Sequence, residues 1–195
     1  MNPFSIFNIS SDAAFEKKAI EVFKFQFENN RVYRSFCDLL YKHPSDVHSI
    51  KDIPFLPVEF FKSHKVLSSD KHIQKTFVSS GTTNSIPSQH HITDLEVYKK
   101  SFTKGFEKFY GAFKRFTILA LLPSYLDRED SSLVYMAQEM IAQSKKTDSG
   151  FYLEDLKGLK ATLLKLENAK QKTLLLGVSY ALLDLIEFHQ FKLQH

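Results

Sequence analysis

The sequence is poor in the residues that mark several protein classes. One cysteine among 195 residues excludes an intrachain disulfide and is typical of a reducing compartment, so we expect a cytoplasmic protein. Tryptophan is absent, while nineteen phenylalanines indicate an aromatic core. The N-terminus lacks a basic leader followed by a long apolar stretch, so no signal peptide is expected. The longest apolar runs are short for a bilayer span, which predicts a soluble protein with no membrane partner.

A strong excess of charge of one sign is also missing. The net charge is +4 and the pI is near 9.0, which favours small anionic ligands such as nucleotides. Lysine and phenylalanine interleave in "EKKAIEVFKFQFE", a composition that could stack nucleic-acid bases. At helical spacing the same residues form one apolar and one solvated face. This simpler interpretation is favoured, and we expect no nucleic-acid partner.

The hydrophobic pattern predicts a single α/β domain over residues 1–195 that opens with a helical and proline-rich lead-in, residues 1–72. Ser11 and Asp12 are typical of a cap before the first helix. A second helix should stop near Pro44, and a short helical turn is expected over residues 58–61 of the proline-rich stretch.

From residue 73 to residue 195, short apolar runs alternate with longer helical ones. This alternation is typical of a parallel or mixed sheet covered by helices. The helix after the first strand should be capped by Thr93. The predicted strands are "KTFVSS", "RFTILALLP", "GFYL" and "KTLLLGV".

The segment "FVSSGTTNSIPSQHH", residues 77–91, is unusually rich in hydroxyl groups. It is predicted to run from a strand into a helix, the position where α/β proteins bind ligands. Gly81 permits positive φ and close approach of the backbone to a ligand, and the hydroxyl and N–H groups around it can donate to a polyphosphate. Its spacing matches neither the P-loop nor the dinucleotide fingerprint. A hydroxyl-rich surface turn is the alternative interpretation.

The loop sequence "SSGTTNSIPS" resembles the phosphate-binding signature of the adenylate-forming superfamily, which typically reads Ser/Thr-Ser/Thr-Gly-Thr-Thr-Gly with a proline shortly after. The chain is more specifically similar to LuxE-like acyl-protein synthetases, which are related to phenylacetate-CoA ligases, from about Ile53 onward. The resemblance implies part of the N-terminal α/β domain of an adenylate-forming ligase. The other segments that carry it are "FLPVEFFKSHKV", "LLPSYLDREDSSLVYM" and "LLLGVSYALLDLIE".

This resemblance implies ATP-dependent activation of a carboxylic acid and transfer of its acyl group. The carboxylate would attack the α-phosphate of ATP, and the acyl group would then pass to a thiol of a protein or of CoA. Mg²⁺, hydroxyls and backbone N–H groups would stabilise the charge on the phosphate oxygens. The acid could be a small carboxylic acid or a fatty acid, since an aromatic-rich composition could line either an aryl or a fatty-acyl pocket. The residues that the resemblance assigns to the nucleotide are Ser79, Ser80, Gly81, Thr82, Thr83, Asn84 and Ser85.

The chain departs from the family pattern in ways that bear on activity. Asn84 stands where the superfamily usually has glycine, although asparagine tolerates left-handed backbone. No lysine follows Pro87. The adenine, ribose and catalytic-lysine motifs of longer members are not evident, so we expect the N-terminal portion of such an enzyme. A C-terminal partner chain or self-association are the candidate partners. The alternative is a truncated or degenerate member that binds nucleotide or a partner chain without turnover.

Other polar residues are candidates for the substrate pocket. Arg128 follows a strand and could contact a phosphate or carboxylate; alternatively it is solvated while Asp130 and Ser131 cap the next helix. Gly177 ends a strand at the expected lip of the nucleotide or acyl pocket. The four residues assigned to this pocket are His90, Arg128, Gly177 and Ser179.

The histidines are not expected to form a metal site, and the alternative interpretation of His90 is a polar loop histidine. His90 and His91 should point to opposite faces of an extended segment, so a shared metal site is not expected. His43, His48, His64 and His72 have no cysteine or carboxylate at zinc-site spacing, and we predict no structural metal. Cys37 lies on the apolar side of the second helix, which predicts a buried thiol rather than a nucleophile.

Overall fold

The structure is a computed structural model that describes residues 2–80, 86–122, 129–153, 155–188 and 190–194. It confirms the predicted α/β class, with a helical N-terminal region followed by alternating strands and helices. The internal contacts of the chain divide it into two compact units, Met1–Ser101 and Phe102–His195. This division does not coincide with the change of sequence pattern at residue 72, so the hydroxyl-rich segment belongs to the same unit as the helical lead-in.

The first unit contains two successive helices that each begin at a capping side chain. The Ser11 hydroxyl accepts a hydrogen bond from the Ala14 N–H at 3.2 Å, as expected for the predicted cap. The buried Asn30 side chain accepts from the Tyr33 N–H at 3.1 Å. The second helix stops before its predicted end, and Tyr41 takes a left-handed conformation with φ of 52°. The helices are α1 (Asp12–Asn29) and α2 (Arg31–Leu39).

An aromatic core joins these helices to the proline-rich stretch. The Tyr33 ring lies edge-on to Phe23, with 6.1 Å between ring centroids, and its hydroxyl donates to the Pro54 carbonyl oxygen at 2.6 Å. The predicted helical turn is present as α3 (Phe60–Ser63), slightly later than expected. The buried members of this core are Phe23, Phe27, Tyr33, Cys37 and Val47.

An antiparallel pair of strands flanks the hydroxyl-rich region, and only the first of these strands was predicted. The expected strand is β1 (Lys75–Val78); its partner, β2 (Gln89–Ile92), was missed. Three of the four residues of β2 are polar and only Ile92 is buried, so the strand carries little of the apolar alternation that marks strands. The expectation that the segment runs directly from a strand into a helix is therefore wrong, because it joins two antiparallel strands.

The helix after the hairpin, α4 (Leu95–Tyr110), begins one residue later than the cap predicted at Thr93 implies. The Asp94 carboxylate accepts from the Glu96 N–H at 3.1 Å and from the Val97 N–H at 3.4 Å. A carboxylate at this position also interacts favourably with the positive end of the helix dipole. Asp94 is therefore the capping residue.

The second unit is built on a parallel sheet of three strands, β3 (Thr117–Leu121), β4 (Gly150–Phe151) and β5 (Thr173–Gly177). The strand order is β4-β3-β5, with Thr117 paired to Thr173 at one end of the β3–β5 ladder. All five residues of β3 are buried, as a central strand of a covered parallel sheet requires. The parallel or mixed sheet predicted from the alternating pattern is confirmed for these three strands, whereas β1, the first predicted strand, pairs with β2 in a separate antiparallel sheet.

Helices cover both faces of this sheet: α5 (Ser132–Ser144) on one face, α6 (Leu156–Asn168) and α7 (Ser179–Phe188) on the other. Side chains alternate along β3, so Leu119 and Leu121 pack with α6 and α7 while their neighbours in sequence pack with α5. Within the described ranges, no helix has the length and apolarity needed to cross a bilayer.

The packing of α6 can be tested with one substitution made at two positions. Leu159→Ala removes a fully buried side chain, so the free energy of unfolding should fall by about 2–5 kcal/mol. Leu164→Ala, whose side chain is 41% exposed, should cost less than about 1 kcal/mol. Urea unfolding followed by circular dichroism measures both values, and equal losses would contradict the assigned orientation of the helix.

Candidate functional site

The hydroxyl-rich segment is closed at its base by two hydrogen bonds between Ser79 and Ser88, here termed the neck. The Ser79 N–H donates to the Ser88 carbonyl oxygen at 3.0 Å. The Ser88 N–H donates to the Ser79 hydroxyl oxygen at 2.9 Å. The neck continues the pairing of β1 with β2, whose last pair is Val78 with Gln89. The two ends of the intervening segment, residues 80–87, are therefore held side by side.

Two of the seven residues predicted to bind nucleotide lie in the described part of the chain. Ser79 forms the neck and Ser80 follows it; both are exposed. Ser88 was not singled out from the sequence, because recognising it requires the register of β2. The other predicted residues lie outside the described residues, and their assignment stays a prediction: Gly81, Thr82, Thr83, Asn84 and Ser85.

The two histidines of β2 point to opposite faces of the hairpin, as their adjacency predicts. His91 Nδ1 lies 2.9 Å from the hydroxyl oxygen of Thr76, its partner across the ladder. The His90 ring packs edge-on against Phe61 of α3, with 5.8 Å between ring centroids. Although His90 is exposed overall, desolvation of its ring lowers its pKa below the ordinary value of 6.5, and the neighbouring His91 lowers it further. The neutral imidazole is the favoured form at neutral pH.

Metal ions in proteins are commonly held by groups of His, Cys, Asp or Glu side chains. No three His, Cys, Asp or Glu side chains of the described residues come together in an arrangement that could hold a metal ion.

The cysteine of the first unit lies in the aromatic core. The Cys37 side chain is fully buried and belongs to the same core cluster as Tyr33. Burial raises the pKa of this thiol, so the protonated form dominates at neutral pH. The predicted burial of this thiol is confirmed.

The second unit contains the remaining described candidates, Gly177 and Ser179. A Cβ atom on Gly177 would lie 2.8 Å from Leu182 Cδ2 and 3.1 Å from the Leu121 carbonyl oxygen, so close packing accounts for this glycine. Ser179 is exposed at the first residue of α7. Their assignment to a substrate pocket stays a prediction.

The structure at the start of α5 agrees with part of the alternative interpretation of the preceding loop, in which Asp130 and Ser131 cap the next helix. The Ser131 hydroxyl accepts from the Val134 N–H at 3.4 Å and caps the helix, as that alternative expected. Arg128, the other candidate in this stretch, lies outside the described residues.

A shallow cavity of about 260 Å³ lies beside the edge strand of the parallel sheet. This volume is below the roughly 300–1,000 Å³ of typical small-molecule sites. Neither Gly177 nor Ser179 lines it. The lining residues are Leu163, Glu167, Thr173, Leu175, Leu193 and Gln194.

The described features define an α/β protein with a hydroxyl-rich candidate phosphate loop on a closed hairpin. The chain belongs to the acyl-protein synthetase (LuxE) family, since the model of that family matches residues 1–189. This match includes α1 and α2, so the similarity to the family begins earlier than the predicted start at about Ile53.

The chain is also similar to a curated protein, a long-chain-fatty-acid–luciferin-component ligase from Photorhabdus luminescens. The two are 32% identical over 75 residues, which is 38% of this chain and 63% of the relative. The chain thus spans less than two thirds of the length of that relative. No solved structure matches the chain.

The environment of His90 predicts a measurable titration. By NMR, its imidazole should titrate below 6.5, and Phe61→Ala should raise that pKa by hydrating the ring. Because the folded state binds this proton less readily than the unfolded state, the free energy of unfolding should decrease as the pH falls below about 6.5 and level off under the folded pKa. Phe55→Ala, at a ring that is 74% exposed, is the control. A wild-type pKa at or above 6.5 would contradict this assignment.

The packing around Gly177 predicts a second outcome. Gly177→Ala should destabilise the second unit by about 1–3 kcal/mol, because the new methyl group must displace Leu182 or the backbone at Leu121. Gly150→Ala is the matched control, since a Cβ there meets nothing within 4 Å. Thermal unfolding by calorimetry compares the two, and an equal effect at both positions would refute the packing explanation.

Proposed function

We propose that the chain binds ATP through residues 79–85 and takes part in ATP-dependent activation of a carboxylic acid, followed by acyl transfer. The observation that carries this proposal is the match of the acyl-protein synthetase family over residues 1–189, which includes the hydroxyl-rich segment. The geometry of the neck and the chemistry of the loop residues support it.

The hairpin supplies what a polyphosphate site needs at its base. Phosphate oxygens are acceptors, so the site must offer hydroxyl and N–H donors on backbone that can approach closely. Ser80 is exposed immediately beyond the neck, and the sequence that follows is rich in hydroxyls and contains Gly81. A neutral His90 on the adjacent strand could donate one further hydrogen bond without adding a positive charge.

The proposed reaction has two steps. A carboxylate oxygen of the acid attacks the α-phosphorus of ATP. The bond from this phosphorus to the oxygen that bridges the α- and β-phosphates breaks, so pyrophosphate departs and an acyl-adenylate is formed. A thiol sulfur then attacks the acyl carbon, the bond to the AMP oxygen breaks, and the thiol proton passes to solvent. The loop residues would hold and orient the phosphates while charge builds on their oxygens.

Magnesium would enter this site as part of the substrate. Mg²⁺ is commonly held by phosphate oxygens and waters with only one or two protein carboxylates. Residues 79–85 carry hydroxyl and amide groups and no carboxylate, so this segment offers hydrogen-bond donors to phosphates more readily than charged ligands to a metal. The chain would therefore contribute donors to the phosphates rather than ligands to the metal.

The comparisons and the thiol inventory support a proposal for the substrate class and the acceptor. The curated relative is named for long-chain fatty acids, so we propose a fatty acid as the first substrate to test. The chain has one cysteine, and that thiol is fully buried. The acceptor thiol would thus belong to another protein or to CoA.

Binding and turnover can be tested together. We expect calorimetric titration to show binding of Mg²⁺–ATP, and we expect ATP, a long-chain fatty acid and hydroxylamine to give an acyl hydroxamate and AMP. The double variant Gly81→Val, Thr82→Val should weaken ATP binding by at least about tenfold, because it removes a hydroxyl donor and the backbone freedom of the glycine. The double variant Thr103→Val, Gly105→Ala in α4 removes the same two residue types outside the loop and serves as control.

The outcomes separate the two functional classes. ATP binding that the loop variant abolishes, without hydroxamate, would favour a non-catalytic or partner-dependent member. Failure of the folded wild-type chain to bind ATP would overturn the proposal.

A further inference from the structure

Ser79 forms hydrogen bonds with both the carbonyl oxygen and the N–H of a single residue, Ser88. Its N–H donates to the Ser88 carbonyl oxygen at 3.0 Å, and its hydroxyl oxygen accepts from the Ser88 N–H at 2.9 Å. The two residues are nine positions apart, so the contact is not a local turn. One side chain therefore completes the last rung of the hairpin.

The hydroxyl replaces a backbone group in this rung. In a regular hydrogen-bonded pair of an antiparallel ladder, each residue accepts through its own carbonyl oxygen. Here the acceptor for the Ser88 N–H is the Ser79 side chain. The pairing thus depends on which amino acid occupies position 79, whereas the ladder from Lys75 to Val78 uses backbone groups.

We propose that Ser79 is a positioning residue that closes the neck and fixes the ends of residues 80–87, rather than a residue whose side chain serves chiefly as a phosphate ligand. This inference rests on the proposed function, since residues 80–85 include the candidate ATP contacts. Holding the two ends of a loop together removes conformations that the free loop would otherwise sample, so less order has to be imposed when a ligand binds.

The side-chain chemistry predicts which substitutions preserve the neck. Threonine keeps a hydroxyl oxygen in the same place and should restore it, whereas alanine removes the acceptor and the thiol of cysteine is a weak one. Ser80→Ala is the control for the hydrogen-exchange measurement alone, because it removes the adjacent exposed hydroxyl, which has no part in the neck.

Two measurements on the full chain test the proposal. Amide hydrogen exchange at Ser88, followed by NMR without nucleotide, should be about fivefold faster in Ser79→Ala, intermediate in Ser79→Cys and unchanged in Ser80→Ala. Calorimetric titration with Mg²⁺–ATP should show affinity about fivefold weaker in Ser79→Ala and restored in Ser79→Thr, with unchanged thermal midpoints.

The nucleotide-free measurement separates this inference from the proposed function. Unchanged Ser88 exchange in both Ser79→Ala and Ser79→Cys would overturn the neck, even if ATP binding falls, because that pattern identifies Ser79 as a direct phosphate contact. Faster exchange with unchanged ATP affinity would overturn the positioning role alone. No ATP binding by the wild-type chain would overturn the proposed function and the positioning role together.

Discussion

The complete burial of β3 is the constraint on which the second unit depends. A strand without solvent contact must satisfy its N–H and carbonyl groups through neighbouring strands, and β4 and β5 provide them on either side. Parallel neighbours can be reached only by crossover connections, which here contain α5 and α6. The apolar side chains on both faces of β3 then need cover, and the helices provide it. The order and the layering of this unit thus follow from one apolar strand.

The first unit positions its candidate site by a different principle. The hydroxyl-rich segment lies at the end of an antiparallel hairpin, so the contacts that locate it are short-range pairings across two strands. Phe77 of β1 packs against Tyr98 of α4, with 4.9 Å between ring centroids. On the same hairpin, a hydrogen bond joins the side chains of His91 and Thr76. A helix packed on one strand and a side-chain bond across the ladder therefore support the base of the loop.

Most of the helices and strands could be predicted because helix caps and apolar runs are visible in short stretches of sequence. The cap at Ser11 and the apolar run of β3 are visible in the sequence, and the structure has both. The features that were missed depend on non-local pairing or on competition between neighbours. β2 is mostly polar and forms a strand because it pairs with β1. Thr93 and Asp94 are both suitable capping residues, and their sequence does not indicate which of the two caps the helix. The partnership of Ser79 with Ser88 follows from that register.

The burial of Cys37 gives the first unit an internal reporter of its own opening. A thiol-modifying reagent can reach this side chain only when the aromatic core around Phe23 and Phe27 separates, and the thiol must also ionise before it reacts. Because the chain has no second cysteine, every modification event reports on that one core. The rate of labelling under native conditions would therefore measure how often the helical part of the protein opens, without adding a probe to the sequence.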